Sequence, residues 1–293
     1  MPLHQRNKHK GKYDFPELTR IHLELKPFVT PNKFGNDSID FSNQEAVKAL
    51  NQALIKSYYQ IDSWDIPEDY LIPPIPGRGD YIHHLADLLG EPMGSETKIL
   101  DIGTGSSLIY PIIGNRDYGW SFIASEIDPT SIENAQTIID ENKKLKHIDL
   151  RFQKNSRDIF LGVLKSNEYV DACICNPPFH ASVEEAQKGT LRKVRNLNKG
   201  KKLKKVDLNF GGVSNELITD GGEKQFIFNM IKQSKRFAKN VGWFTTLVSK
   251  ESIVPAILSS LRANGAKTKI IEMENGNKKS RIVCWKFKSP NQI

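Results

Sequence analysis

The chain predicts an α/β protein: a seven-stranded, mostly parallel sheet with helices on both faces, preceded by a small N-terminal helical extension. Three observations lead there. Short apolar runs rich in β-branched residues alternate with stretches of helical spacing, the pattern of a parallel sheet with helical crossovers. One such run breaks at a glycine turn, Asp101-Ile-Gly-Thr-Gly105, and leads into a helix start. Another, Val170 to Cys175, stops at Asn176-Pro177-Pro178-Phe179. Proline cannot donate to a sheet ladder, and Pro177 keeps Asn176 out of the helical region, so that strand ends in a rigid polar hook. In open α/β sheets ligands bind outside the carboxyl ends of strands, which places the hook where chemistry is done.

Composition narrows the class. The 293 residues can bury a large core, and Lys and Arg outnumber Asp and Glu by 42 to 34, a net charge of +8. That balance suits a polyanionic partner, nucleic acid or an anionic membrane surface. No apolar run approaches the length of a membrane span and the basic start has no apolar segment behind it, so a soluble, cytoplasmic protein is expected. Three cysteines, two of them within the strand at Cys173 and Cys175, make no disulfide framework. A lone Cys-x-Cys reads as core packing, and no metal is expected.

In chain order, the first twelve residues carry Arg6, Lys8, Lys10 and Lys12 with no acid before Asp14, either a solvated terminus or a clamp on a phosphate backbone. Residues 44–59 place Ala46, Val47, Leu50, Ala53, Leu54 and Tyr58 at helical spacing with Asn43 as N-cap. Pro67, Pro73, Pro74 and Pro76 mark an extended connection, and a second helix is predicted over 81–89. Residues 1–95 therefore form the extension, and 96–293 the main α/β domain.

The segment 98–108 runs from strand to glycine turn to helix start. Gly103 and Gly105 permit a tight turn, but Ser106, Ser107 and Leu108 stand where a dinucleotide fingerprint has its third glycine. This disfavours NAD and favours a cofactor without pyrophosphate. S-adenosylmethionine suits it, because its ammonium and sulfonium groups favour an acidic rim such as Asp101. A strand over 120–125 ends at Glu126, the spacing expected of an acid on ribose hydroxyls, and a helix over 129–142 follows. The strand 149–153 ends at Lys154-Asn155, where a polar side chain can meet an adenine edge. Four strands ending in ligand-suited residues, in this order, point to a methyltransferase.

The hook supplies the chemistry. The side-chain oxygen of Asn176 and the carbonyl of Pro177 are two acceptors on a stiff corner, spaced to grip both hydrogens of one planar amine. Such an amine is a poor nucleophile because its lone pair is delocalised. Drawing both hydrogens toward acceptors favours a pyramidal nitrogen, and the contacts strengthen as positive charge develops. Phe179 can stack on a flat heterocycle.

A basic insertion follows at about 181–220, with nine Lys or Arg between 188 and 205 and no acid. Its place beside the hook favours a phosphate-gripping loop. Gly211-Gly212 and Gly221-Gly222 bracket a segment able to fold over the site, positioned by Glu216 or Glu223. A helix over 223–239, a strand over 241–248, a helix over 253–263 and two strands over 267–273 and 281–286 complete the sheet. Lys278, Lys279 and Arg281 could add to an RNA-facing surface.

Together, His4-Gln-Arg-Asn7, Pro76-Gly-Arg-Gly-Asp-Tyr-Ile-His-His84, Asp101-Ile-Gly-Thr-Gly105, Ile109-Tyr-Pro111, Asn176-Pro-Pro-Phe-His180, Asn209-Phe-Gly-Gly212 and Gly221-Gly-Glu223 resemble the RlmF family. These are bacterial 23S rRNA adenine-N6-methyltransferases, related to a eukaryotic small nuclear RNA methyltransferase. The resemblance spans essentially the whole chain. It implies a class I, Rossmann-like methyltransferase fold and methyl transfer from S-adenosylmethionine to an exocyclic adenine amine of 23S rRNA. On that resemblance Arg78 lies near the cofactor carboxylate. Asp101, Gly103, Thr104, Gly105, Ser107 and Glu126 form the cofactor loop and ribose contact, with Lys154, Asn155 and Asn176 beside them. Asn176, Pro177, Pro178 and Phe179 are the catalytic set. Arg6 and Lys8 match an RNA-contacting arm, and Lys193, Arg195, Lys201, Lys202 and Arg281 extend the RNA surface; a monomer is expected. The rivals are a protein glutamine-amide methyltransferase using the same hook, an inactive RNA-binding assembly factor, and, disfavoured by the missing glycine, a NAD oxidoreductase.

Overall fold

The computed structural model describes residues 3–178, 219, 221–275 and 278–287. Phe179, Lys193, Arg195, Lys201, Lys202, Gly211-Gly212 and Glu216 lie outside them.

A seven-stranded sheet forms the centre. Its strands are β3 (Lys98–Ile102), β4 (Ser121–Glu126), β5 (Ile148–Phe152), β6 (Val170–Cys175), β7 (Val241–Val248), β8 (Ala266–Asn275) and β9 (Lys278–Phe287). Their spatial order is β5-β4-β3-β6-β7-β9-β8. All run parallel except β9, which is antiparallel to both neighbours. The expected count and the single antiparallel member are therefore present. The chain winds outward from β3 to β5 and returns to β6, so β3 and β6 flank the point where strand order reverses, where the carboxyl ends leave a crevice.

Alternation along the strands feeds two cores. Ile99, Phe122, Ala124, Ala172 and Ile174 face one apolar cluster, while Leu100, Ile123, Cys173 and Cys175 face the other. The first face is covered by α2 (Gln44–Tyr59), α3 (Ile75–Leu89), α4 (Ile109–Tyr118) and α5 (Pro129–Glu141). The second is covered by a segment holding Phe160, Val163 and Leu164, and by α6 (Gly222–Ser234) and α7 (Val254–Ala263). At Gly114 an added Cβ would stand 2.5 Å from the Phe122 ring, so α4 approaches β4 only because that residue lacks a side chain. Both core cysteines are buried, and burial pushes the Cys173 thiol up to about 12, in keeping with packing.

The extension differs from its expected form in two ways. The helix expected from 81 begins at Ile75, because Pro76 falls in the first turn, where a missing N–H costs nothing. Before α2 lie α1 (Phe15–Ile21), a 3-10 turn (Leu23–Phe28) and a hairpin of β1 (Thr30–Pro31) and β2 (Asp37–Ser38), all too short for a periodic signal. In the second half, helix 223–239 closes as α6 at Ser234 with a 3-10 turn to Phe237. The strands expected at 267–273 and 281–286 are longer, ten residues each.

Candidate active site

The crevice is built from β3, β4 and β6. Ile102 pairs with Cys175, so one residue further on Gly103 stands beside Asn176 at the carboxyl edge. Gly103 and Gly105 take φ of +70° and +67°, the left-handed region where a side chain costs roughly 1–2 kcal/mol. The N–H groups of Gly103 and Thr104 both donate to the Ser125 carbonyl at 2.9 Å, which locks the turn onto β4. A Cβ built on Gly103 would meet nothing within 4 Å, so open space lies above the turn.

Asp101 shares the face of Ile99 on β3, which aims it toward the extension. It is fully buried. Among the described residues neither carboxylate oxygen, nor the Thr104 hydroxyl, has a partner of full hydrogen-bond geometry. Burial pushes Asp101 up to about 7; Thr104 and the Arg78 charge work against this, and Glu126 adds to it. Arg78, buried on α3, donates to the Tyr110 hydroxyl at 3.0 Å with its guanidinium 5.4 Å from that ring's centre. A buried carboxylate with no donor of full geometry among the described residues, and an arginine nearby, suit a ligand carrying both an ammonium and a carboxylate.

Glu126 is almost fully buried at the end of β4, and burial raises it above its ordinary value. Its Oε2 accepts from Gly105 N at 2.8 Å; its Oε1 accepts from Ile127 N at 2.7 Å and Asp128 N at 3.1 Å. Three of about four acceptor positions are filled by backbone. The fourth is left for a hydroxyl. Next to it Ile127 is 39% exposed and, at the end of β5 opposite Glu126, Phe152 is 42% exposed, an apolar border that no sequence motif marks.

At the end of β6 the Asn176 side-chain oxygen is buried and has no partner among the described residues. Pro177 is buried and Pro178 half-buried behind it. An unpartnered buried amide oxygen costs about 1–3 kcal/mol, and a ligand donor would recover it.

The other expected residues are placed as follows. Ser107 is buried and its carbonyl accepts from the Trp64 indole at 2.8 Å. Asn134 on α5 donates to the carbonyls of Asp65 and Ser106 at 2.9 and 2.8 Å, and Tyr70 donates to Asp128 at 2.8 Å. The segment around 64–70 thus braces the glycine turn, a role with no sequence motif. Lys154 and Asn155 are exposed, and Asn155 closes a local turn through Arg157 N and Asp158. Glu223 is buried and accepts from the N–H and hydroxyl of Ser249 after β7.

Three cations expected on an RNA surface are paired within the chain. Arg6 meets Asp87 and Glu91, Lys8 meets Asp117, and Arg281 meets Glu251 at 2.7 Å. Of the described groups, His4, His84 and Asp87 bring potential metal-ligand atoms within 4.8 Å of one another. Yet His4 Nδ1 faces the Arg6 N–H at 3.2 Å and Nε2 faces Asp87 at 2.9 Å. That pattern places the ring proton on Nε2 and leaves no lone pair for an ion. No helix among the described residues is long and apolar enough to cross a membrane.

Residues 1–289 match the family described as RNA methyltransferase. A protein of Bacteroides fragilis named Ribosomal RNA large subunit methyltransferase F is 52% identical over 97% of this chain and 98% of its own. Its namesake in Pseudomonas syringae pv. syringae is 51% identical over 97% and 89%. Among solved structures, the hMettl16 catalytic domain in complex with the MAT2A 3′UTR hairpin 6 superposes with a TM-score of 0.82 and 29% identity, covering 99% of each chain. The N-terminal domain of human METTL16 in complex with SAH gives 0.78 and 27%, covering 98% and 99%. With this fold, this crevice and these relatives, the chain belongs to the RNA methyltransferase family whose curated bacterial members are named Ribosomal RNA large subunit methyltransferase F.

Proposed function

We propose that the protein methylates the exocyclic amine of an adenine in 23S rRNA, using S-adenosylmethionine. The observation that carries this reading is the Asn176 oxygen, buried and without a partner among the described residues, beside the glycine turn. An acceptor in that state has most to offer a ligand N–H, and the adjoining acidic turn suits a ligand with an ammonium and ribose hydroxyls. The relatives support the substrate class: the bacterial ones are named for the large-subunit ribosomal RNA, and one structural neighbour holds an RNA hairpin while another holds SAH.

S-adenosylmethionine, when bound, supplies a methyl group activated by its sulfonium. Asp101 would hold its ammonium, Arg78 its carboxylate and Glu126 a ribose hydroxyl. Asn176 Oδ1 and the Pro177 carbonyl hold the two hydrogens of the target amine and turn its lone pair toward the methyl carbon. Their contacts strengthen as the nitrogen gains positive charge, which is the differential binding that lowers a barrier. No strong general base would be required: as the new C–N bond forms, the cofactor's C–S bond would break to leave a neutral thioether, and the nitrogen's now acidic proton would pass to water. A duplexed or stacked adenine cannot reach such a corner, so the base enters unstacked.

Incubation of unmodified 23S rRNA with the protein and methyl-labelled cofactor, followed by mass spectrometry of the nucleosides, tests the reading. Label in N6-methyladenosine is expected. Label in another nucleoside overturns the adenine assignment, and label in glutamine of a protein fraction that survives ribonuclease treatment favours the amide substrate.

A further inference from the structure

The arm at residues 4–8 leaves little charge for RNA. Arg6 directs four of its five N–H groups to Tyr118, Glu91, the His83 carbonyl and Asp87. Lys8 lies against Asp117 and the Tyr58 carbonyl. These partners gather at the C-terminal ends of α2, α3 and α4, the end of each helix away from the crevice. The other end of α2 carries a different feature.

We propose that the tip of the β1–β2 hairpin, Phe34 with Lys33, is a stacking finger for an unpaired nucleotide of the RNA substrate; this rests on the RNA reading above. Phe34 is 75% exposed, the most exposed large apolar side chain among the described residues. An isolated exposed apolar residue is ordinary, but this one is held out by a built turn. Asn32 Oδ1 accepts from Phe34 N at 2.8 Å and Asn36 N at 3.2 Å, and Asn32 N donates to the Asn36 carbonyl at 2.8 Å. Gly35 completes the reversal at φ +74°. A presented ring loses little freedom when a base stacks on it, which is what makes stacking productive.

Charge selects the partner. Lys33 Nζ lies 4.8 Å from the centre of the Phe34 ring, and Lys12 Nζ reaches Asn36 at 3.4 Å. Residues 3–38 hold seven Lys or Arg against four Asp or Glu. Lys10, Lys12, Lys26 and Lys33 form no salt bridge among the described residues, while Arg6, Lys8 and Arg20 do. An aromatic ring flanked by Lys33, with Lys12 at the same turn and neither lysine in a salt bridge among the described residues, matches a base and its phosphates, and does not match an apolar protein surface.

Placement agrees. From its second turn to its middle α2 is bonded to the brace over the glycine turn: Lys48 donates to the Ile66 carbonyl at 3.1 Å and Gln52 to that of Trp64 at 3.3 Å. Its last turn meets Lys8 and Arg116. Only four residues separate Ser38 from Asn43 at the start of α2, five steps or at most roughly 18 Å of chain. The base of the hairpin is therefore tethered to the start of the helix, while its tip is held to the N-terminal arm through Lys12 and Asn36.

The test is equilibrium binding of an unmodified 23S rRNA transcript to the full chain and to Phe34→Ala and Phe34→Trp, with calorimetric binding of S-adenosylmethionine alongside. The alanine variant is expected to bind RNA about five- to 150-fold more weakly, the range for losing one base–aromatic stack. The tryptophan variant is expected to restore binding, and all three chains to bind cofactor equally. Wild-type RNA affinity in the alanine variant, or no restoration by tryptophan, overturns the finger and leaves the methyltransferase reading standing. Failure of the wild-type chain to bind the transcript overturns both.

Discussion

At the scale of single residues, the crevice holds buried polar groups without partners among the described residues, an energetic cost that the proposed ligand would relieve. Asp101 is the larger case. Its buried carboxyl titrates at about 7 in the folded chain, against an ordinary value of 3.8. Between those values the folded chain holds a proton that the unfolded chain has released, so stability rises as pH falls through 7 and the burial cost is full above it. Cofactor binding runs the other way, because protonation removes the anion that faces the ammonium. Asp101→Asn is therefore expected to raise the thermal midpoint at pH 8. It should also weaken S-adenosylmethionine about 10- to 150-fold, the worth of a charged hydrogen bond. Scanning calorimetry and titration calorimetry from pH 6 to 8 check both signs; a less stable variant with unchanged affinity contradicts the assignment. Asp101, Gly103, Glu126 and Asn176 were legible because each ends a strand or shapes its turn. Trp64, Tyr70 and Asn134 were not, since their contacts join distant segments and leave no spacing to read.

At the scale of elements, the cofactor turn is held from two sides. β4 grips it from below through the Ser125 carbonyl, and the 64–70 segment grips it from outside through the Trp64 indole. Trp64→Phe keeps the ring and removes the N–H, leaving the Ser107 carbonyl bare at a cost of roughly 1–3 kcal/mol. A higher KM for cofactor is expected, with kcat at saturating cofactor within a few-fold of wild type. Steady-state kinetics separates this from a general loss of fold, which would lower the active fraction without moving KM. The parallel strands were legible to within a residue or two because their alternation is strong and their ends carry Gly, Glu or Asn-Pro. The start of α3 was missed because Pro76, with Pro67, Pro73 and Pro74, reads as an extended connection. In the fold Pro76 sits in the first turn, and Asn7 packs against Gly79, where a Cβ would stand 3.5 Å from its side chain.

At the scale of the molecule, the extension and the sheet share a core. Leu18, Leu25, Leu54, Ile55 and Tyr59 belong to the same apolar cluster as Ile99, Phe122 and Ile174. Removing residues 1–95 would expose that face of the sheet, as well as taking away Arg78 and the brace. The truncated chain is expected to aggregate or to lose near-ultraviolet dichroism; a soluble, cooperatively melting 96–293 fragment would contradict the shared core. In the function proposed here the whole assembly serves one act, the grip of Asn176 on an amine. Asn176→Ala, assayed for methyl transfer to 23S rRNA and for S-adenosylmethionine affinity on the same preparation, measures that act directly. The expected result is a loss of at least about 100-fold in kcat, the scale of losing one preorganised transition-state contact, with cofactor affinity nearly unchanged. A variant that turns over normally, or whose lost rate is matched by lost cofactor affinity, would contradict it.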